Sequence, residues 1–171
     1  MDCAAPCLLI ASPLLLDPNF LHTVVLMVEH SEAGAMGVVL NRPIPVFVAQ
    51  ICEEGDIEYK GPPGATAFYG GPVEPGRGTL LVRGGLPGNG DTVLDFTDFV
   101  SYRRDLLESL AKDAESSYRL FLGYSGWGPG QLEAELKQQA WMRASLEPDL
   151  LFLDDTSMLW KKVLKALMEQ E

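Results

Sequence analysis

Short apolar runs separated by glycine and proline dominate the chain, and their lengths predict strands more often than helices. Leu8-Leu9-Ile10-Ala11 is an unbroken apolar run stopped by Ser12-Pro13, the pattern of a buried strand. The valine-rich residues 22–29 predict a second strand. Residues 31–37 form a turn, and residues 37–40 a third strand that pairs with the second as a hairpin. Asn41-Arg42-Pro43 ends it, because proline has no N–H to donate to a ladder. Residues 46–53 predict a short helix and residues 55–64, rich in glycine and proline, a loop. Residues 65–69 and 78–83 predict strands flanking a loop over residues 70–77. A further loop spans 84–90, followed by a short strand at 92–94.

Helical periodicity appears in the second half. Asp98 stands as the cap of a helix over residues 99–114, with Leu106, Leu107 and Leu110 on its apolar side. Residues 119–124 are the most apolar strand. Residues 129–143 predict a helix that buries Leu132, Leu136 and Ala140, with Pro129 suited to its first position. Residues 150–153 predict a strand. Asp155, Thr156 or Ser157 then caps a last helix whose apolar face includes Leu159, Val163 and Leu167. Lys161, Lys162 and Lys165 fall on its polar side. The sum is a mixed α/β or α+β fold with strands on both sides of short helices.

The 171 residues with 47% hydrophobic content suit one domain, residues 1–171, with a full core. The net charge of -11, with no lysine/arginine cluster to offset it, disfavours direct nucleic-acid binding through a basic face and attraction to anionic membranes. The apolar residues 8–16 are short, interrupted by Pro13 and preceded by Met1-Asp2-Cys3, which fits neither a signal peptide nor a membrane span. The odd set Cys3, Cys7 and Cys52 argues against a disulfide scaffold and for free thiols in a reducing, cytoplasmic setting.

Candidate chemistry centres on Phe121-Leu122-Gly123-Tyr124-Ser125-Gly126-Trp127-Gly128-Pro129-Gly130, an apolar strand running into a loop with four glycines, after which a helix begins at about Pro129. Two readings stand side by side. Free backbone amides at the helix start could cradle an anion, or the glycines could permit a tight joint and close packing. The spacing matches neither a P-loop nor a dinucleotide fingerprint, so no cofactor is implied. Ser125 has the glycine of a nucleophile elbow before it, but Trp127 occupies the position where the second glycine belongs. Trp127 itself could floor a pocket or pack in the core. Glu29 and His30 are adjacent, so on a strand they point to opposite faces. Two histidines, His22 and His30, are too few for a multi-histidine metal site, and no metal is expected. Arg42, beside Asn41, offers a planar fork to a carboxylate or phosphate, or a surface salt bridge.

Several segments resemble the YqgE/AlgH family. Leu8 to Pro13 with Asp17-Pro18-Asn19-Phe20 is similar to its opening. Glu29-His30 through Arg42-Pro43, Gly70-Gly71-Pro72-Val73, and the stretch from Gly123 to Glu133 with Trp141 beyond it resemble its later blocks, in the same order. The resemblance implies a bacterial protein with an α+β fold, a mostly antiparallel, barrel-like sheet and flanking helices. It implies no settled reaction, and some members are labelled regulators of alginate synthesis or transcription. Two positions depart from the family's habit. Met27-Val28 stand where many members place a cysteine before the Glu-His pair, and Leu81-Val82-Arg83 where a histidine is common.

Three functions follow as expectations. A non-enzymatic binding or regulatory domain would hold a small anionic ligand or a protein partner in a cleft. Its candidate residues are Glu29, His30, Asn41, Arg42, Gly70, Gly71, Gly123, Ser125, Gly126, Trp127, Gly128 and Gly130. A hydrolase or transferase acting on a phosphorylated or acyl substrate would use His30 or Glu29 as base and the glycine stretch as stabiliser. A transcriptional regulator would act indirectly, since no groove-fitting basic element is evident.

Overall fold

The computed structural model describes residues 5–95 and 98–169. Strand β1 (Cys7–Ala11) is buried on both faces, with Leu8 and Ile10 in one apolar cluster and Cys7, Leu9 and Ala11 in another across the sheet. Burial on two sides is why its sequence is a continuous apolar run and not an alternation. Strand β2 (Val24–Ser31) repeats the pattern, and β3 (Gly34–Val39) folds back on it as the expected hairpin, through a turn of only Glu32 and Ala33.

Strand β3 ends before Pro43, as expected, but Pro43 itself opens a strand that was not expected. Pro43–Phe47 is strand β4, and its sole strand partner among the described residues is β5 (Thr66–Tyr69). An edge strand tolerates proline because the missing N–H faces no neighbour. Helix α1 (Val48–Glu54) lies between them as predicted. Strand β6 (Val73–Arg83) takes in most of the expected loop over residues 70–77, with a register shift between Val73 and Gly78. Strand β7 (Thr92–Val93) is short.

Four expectations about the second half are corrected. Asp98 caps no helix: Asp98–Ser101 is strand β8, with Phe99 and Val100 buried on opposite faces against β6, and helix α2 covers only Arg104–Ala111. The expected glycine loop shrinks to residues 128–130, because Ser117–Trp127 is a single strand, β9, that takes in Gly123 and Gly126. Helix α3 spans Gln131–Lys137, after Pro129 and short of residue 143; Gln139 at φ 61° reverses the chain, and Trp141–Ala144 returns to the sheet as β10 beside β1. Residues 150–153 are no strand. Pro148, whose fixed φ suits a first turn, starts helix α4 (Pro148–Leu151). At the end of the chain Asp155 accepts from the Ser157 amide to cap a 3-10 turn, Thr156–Met158, which leads into helix α5 (Leu159–Glu169).

The ten strands form one sheet in the order β10-β1-β2-β3-β9-β6-β8-β7, with β4 and β5 attached through β9. Every pairing is antiparallel except β5 with β9. The end strands β10 and β7 do not meet, so the α+β fold has the expected mostly antiparallel sheet without closure into a barrel. Helix α5 covers one face through Leu159, Trp160 and Val163; helix α3 covers the other through Leu132. The Trp160 indole donates to the Ala11 carbonyl at 2.8 Å, pinning α5 to β1. Among the described residues no helix is long and apolar enough to cross a membrane. Cys52 is a free, buried thiol, but Cys7 is disulfide-bonded, which corrects the expectation of a thiol there; Cys3 lies outside the described residues.

Candidate functional site

The glycines of two distant segments meet where one backbone crosses another. Strand β5 runs along one side of β9, pairing at Phe121 and Leu122, while β6 runs along its other side, from Tyr124 down to Ser117. The chain between them, Gly70-Gly71, must therefore pass across β9. A side chain on either strand would stop it: a Cβ on Gly70 would lie 2.3 Å from the Gly123 oxygen, one on Gly71 2.2 Å from Tyr124, and one on Gly123 2.4 Å from the Gly71 oxygen. Gly123 also sits at φ 77°, where L side chains are strained. Ser125 is fully buried, and its hydroxyl donates to the Gly70 carbonyl at 3.1 Å, fastening the crossing. That hydroxyl is a brace in the interior, out of reach of a substrate.

Beyond the crossing, the far end of β9 joins β3, with Ala35, Met36 and Gly37 opposite Trp127, Gly126 and Ser125. The amides of Gly123 and Gly126 thus lie within a strand, while Gly128 and Gly130 fall in the turn that leads into α3. The Gly128 amide donates to the Gln131 side chain at 2.9 Å, and Gly130, at φ 75°, precedes α3.

The sheet rows sort the remaining residues. Glu29 pairs with Met36 and Met36 with Gly126, so these three share one face. His30, Ala35 and Trp127 form the next row, on the opposite face. Val28 is the extra residue of a β-bulge, since Met27 pairs with Gly37 and Glu29 with Met36. The bulge turns Glu29 away from Met27's side of the sheet. On the His30 side the imidazole Nε2 lies 3.3 Å from the Glu133 carboxylate of α3, and the side chain is only 6% exposed. The Glu133 carboxyl is held below its ordinary value by its own helix-start amide and by His30. The Trp127 indole donates to Glu135 at 3.0 Å, as does that of Trp141, and its ring stacks on Phe20.

On the Glu29 side the sheet opens into a cleft of about 500 Å³, bordered by Glu29, Ser31, Met36, Val73, Tyr124 and Gly126, with Trp127 at its edge. Tyr124 stands on its border, with Arg77 and Tyr102 packed behind it. The Arg77 guanidinium lies 4.7 Å from the Tyr102 ring centre and 5.0 Å from that of Tyr124, and it pairs with Glu74 at 3.7 Å. The Tyr102 hydroxyl points at the Met36 sulfur, 3.9 Å away. Burial, with the Glu29 charge adding to it, pushes the Tyr102 phenol up to about 12, so it remains a neutral donor at physiological pH.

Of the residues singled out from sequence, Glu29, Gly126 and Trp127 border this cleft. Gly70, Gly71, Gly123 and Ser125 form the crossing beside it. Asn41 and Arg42 belong to a separate latch. Asn41 accepts from the Val24 amide and donates to the His22 carbonyl, both at 3.0 Å, while Arg42 donates to the carbonyls of Pro18, Asn19 and Leu21 at 2.8–2.9 Å. Sequence reasoning missed Met36, Glu74, Arg77 and Tyr102, which looked like turn, loop and helix residues. Only the adjacency of Tyr124 to Gly123 hinted at an aromatic border. Among the described residues no group of three or more histidine, cysteine, aspartate and glutamate side chains gathers to hold a metal.

An open, mostly antiparallel α+β sheet with a two-glycine crossing defines the class of this molecule. The chain belongs to the AlgH-like family, whose model matches residues 8–170. It is 38% identical over 169 residues to a UPF0301 protein of Vibrio vulnificus, covering 93% of this chain and 89% of that one. It is 42% identical over 171 residues to a UPF0301 protein of Streptomyces avermitilis, covering 92% and 83%. The solution structure of the AlgH protein from Pseudomonas aeruginosa is similar, with a TM-score of 0.75 and 33% identity over 100% of this chain and 98% of that one. A crystal structure from Corynebacterium diphtheriae shares the fold, with a TM-score of 0.76 at 24% identity over 97% and 90% of the two chains.

Proposed function

We propose that this protein is a non-catalytic binding domain that engages a protein partner through the cleft between the β2–β3 hairpin and the start of β6. The observation that carries this reading is the row Glu29–Met36–Gly126, bordered by Tyr124 and left open to solvent. A carboxylate on the floor favours a protein partner over a small anion, and so does the engagement of Arg42 with three backbone carbonyls. The hydrolase or transferase alternative loses support from the same geometry, because Glu29 and His30 face opposite sides of the sheet and Ser125 is buried. A regulatory role would then run through protein contacts, in keeping with the acidic composition.

Amide chemical-shift mapping tests the reading. Mixed short peptides are expected to shift the Met36, Tyr124 and Gly126 resonances, while phosphate and simple carboxylates leave them in place. Shifts confined to other surfaces overturn it. We place the activity in the cytoplasm: the unpaired thiol of Cys52 fits a reducing compartment, whereas the Cys7 disulfide does not. The oxidation state of Cys7 in protein alkylated at lysis decides the point.

A further inference from the structure

We infer that the cleft takes its partner as an added β-strand, an extended peptide laid along Gly126 and Trp127 with a long basic side chain directed at Glu29. The inference rests on the binding reading above and goes further by naming the form and charge of what binds.

The first observation is an open strand edge. Phe121 and Leu122 of β9 each have strand partners on both sides, from β5 and β6. Gly126 and Trp127 pair with β3 alone among the described residues. Strand β6 begins at Val73, opposite Tyr124, because Gly70-Gly71 has only just crossed from the other side. The crossing therefore brings β6 to this flank too late to cover the last residues of β9. An edge of this kind carries main-chain groups ready to pair with another chain.

The second observation is room. Gly126 is exposed within a strand, and a Cβ placed there would find the Tyr124 ring at 3.6 Å and the Val73 side chain at 3.8 Å, ordinary contact distances. Unlike Gly71 and Gly123, it is not glycine to relieve an internal clash. A glycine inside a strand with free space above it suits the close approach of another backbone.

The third observation is charge. Glu29 lies two strands in from the edge, in the same row as Gly126 and on the same face. An added strand would lie three spacings of about 4.8 Å from β2, roughly 14 Å, so only a fully extended arginine or lysine, laid over Gly126 where no side chain stands and alongside Met36, meets that carboxylate. The arginine nearest the cleft, Arg77, is held against Tyr102, Tyr124 and Glu74. With a chain net charge of -11, a basic segment is also the partner that long-range attraction brings in.

The test pans a random heptapeptide library on the full chain, with counter-selection on a Gly126→Leu variant that fills the cleft and whose melting temperature matches the parent. Selected peptides are expected to be proline-free and to carry arginine or lysine. They should shift the Gly126 and Trp127 amides, and weaken at least tenfold when alternate backbone nitrogens are methylated in the pairing phase. Exchanging the basic residue for glutamate should weaken them by a similar factor, and Glu29→Gln should abolish that preference. Selection of acidic or proline-rich peptides, indifference to methylation in both phases, or equal capture by Gly126→Leu overturns strand addition. If a folded, non-peptide ligand shifts the cleft amides while no peptide does, the cleft remains a binding site and strand addition alone fails. If nothing shifts them, both readings fall.

Discussion

Gly123 and Gly130 share a positive φ but not an environment, and that contrast reads out the cost of crowding at the strand crossing. Their φ angles are 77° and 75°, so alanine at either position meets a positive-φ penalty of roughly 1–2 kcal/mol or more. Part of it, about 0.4–1 kcal/mol, is returned because alanine narrows the unfolded ensemble. At Gly130 an added Cβ meets nothing within 4 Å, so Gly130→Ala should lose only about 1 kcal/mol. At Gly123 the same atom would lie 2.4 Å from the Gly71 oxygen and 3.2 Å from the Val73 oxygen. Both neighbours are main chain and cannot rotate away. The displacement adds an overpacking cost of about 1–3 kcal/mol or more, for a total near 3–4 kcal/mol. In a domain of this size each kcal/mol moves the melting temperature by about 2–4 °C. Thermal unfolding followed by circular dichroism should therefore show a loss of roughly 3 °C for Gly130→Ala and roughly 10 °C for Gly123→Ala. Equal losses for the two variants refute the crossing as the reason for glycine at 123.

Three further outcomes follow from the site. Glu135 accepts from the indoles of Trp127 and Trp141, each at 3.0 Å, so Glu135→Ala strands two largely buried donors and should lower stability by about 2–4 kcal/mol in urea unfolding; Glu135→Gln should lose less. Burial alone would raise the Asp91 carboxyl, but the Arg103 guanidinium, the Gly88 amide and the Ser101 hydroxyl together hold it at about 2. Because the folded value is depressed, that stabilisation is complete above the ordinary value near 3.8 and is lost as pH falls toward 2. The stability gap between the parent and Asp91→Asn, about 1–2 kcal/mol at neutral pH after solvent screening, should close across that window in acid-unfolding titrations. Glu133 follows the same sign. Its carboxyl is depressed in part by His30, so the proton affinity of His30, read from ring NMR shifts, should fall in Glu133→Gln; an unchanged His30 titration contradicts the pairing.

Much of this molecule was legible in the order of its residues because local pattern and local chemistry agree there. The unbroken apolar runs at β1 and β2 announced strands buried on two faces, and the wide apolar face of α5 with Asp155 ahead of it announced a capped helix. The alternation of side chains along a strand by itself separates Glu29 from His30. The errors fell where a residue's conformation is set by a neighbour remote in the chain. Phe99 and Val100 fit a helical period, yet β6 draws them into a ladder that buries both. Pro43 reads as a stop until β5 supplies an edge for it to occupy. The glycines at 70, 71 and 123 look like flexible loop or ligand cradle, because no local signal tells a backbone that bends from one that is crossed by another. Which face Glu29 occupies depended on a single bulge at Val28, which shifts every later side chain to the other side of the sheet. Sequence thus determined the elements whose burial is periodic along the chain itself. Register, crossings and the cleft they leave open were decided only by tertiary structure, since those depend on which backbone groups remain unpaired after distant segments have met.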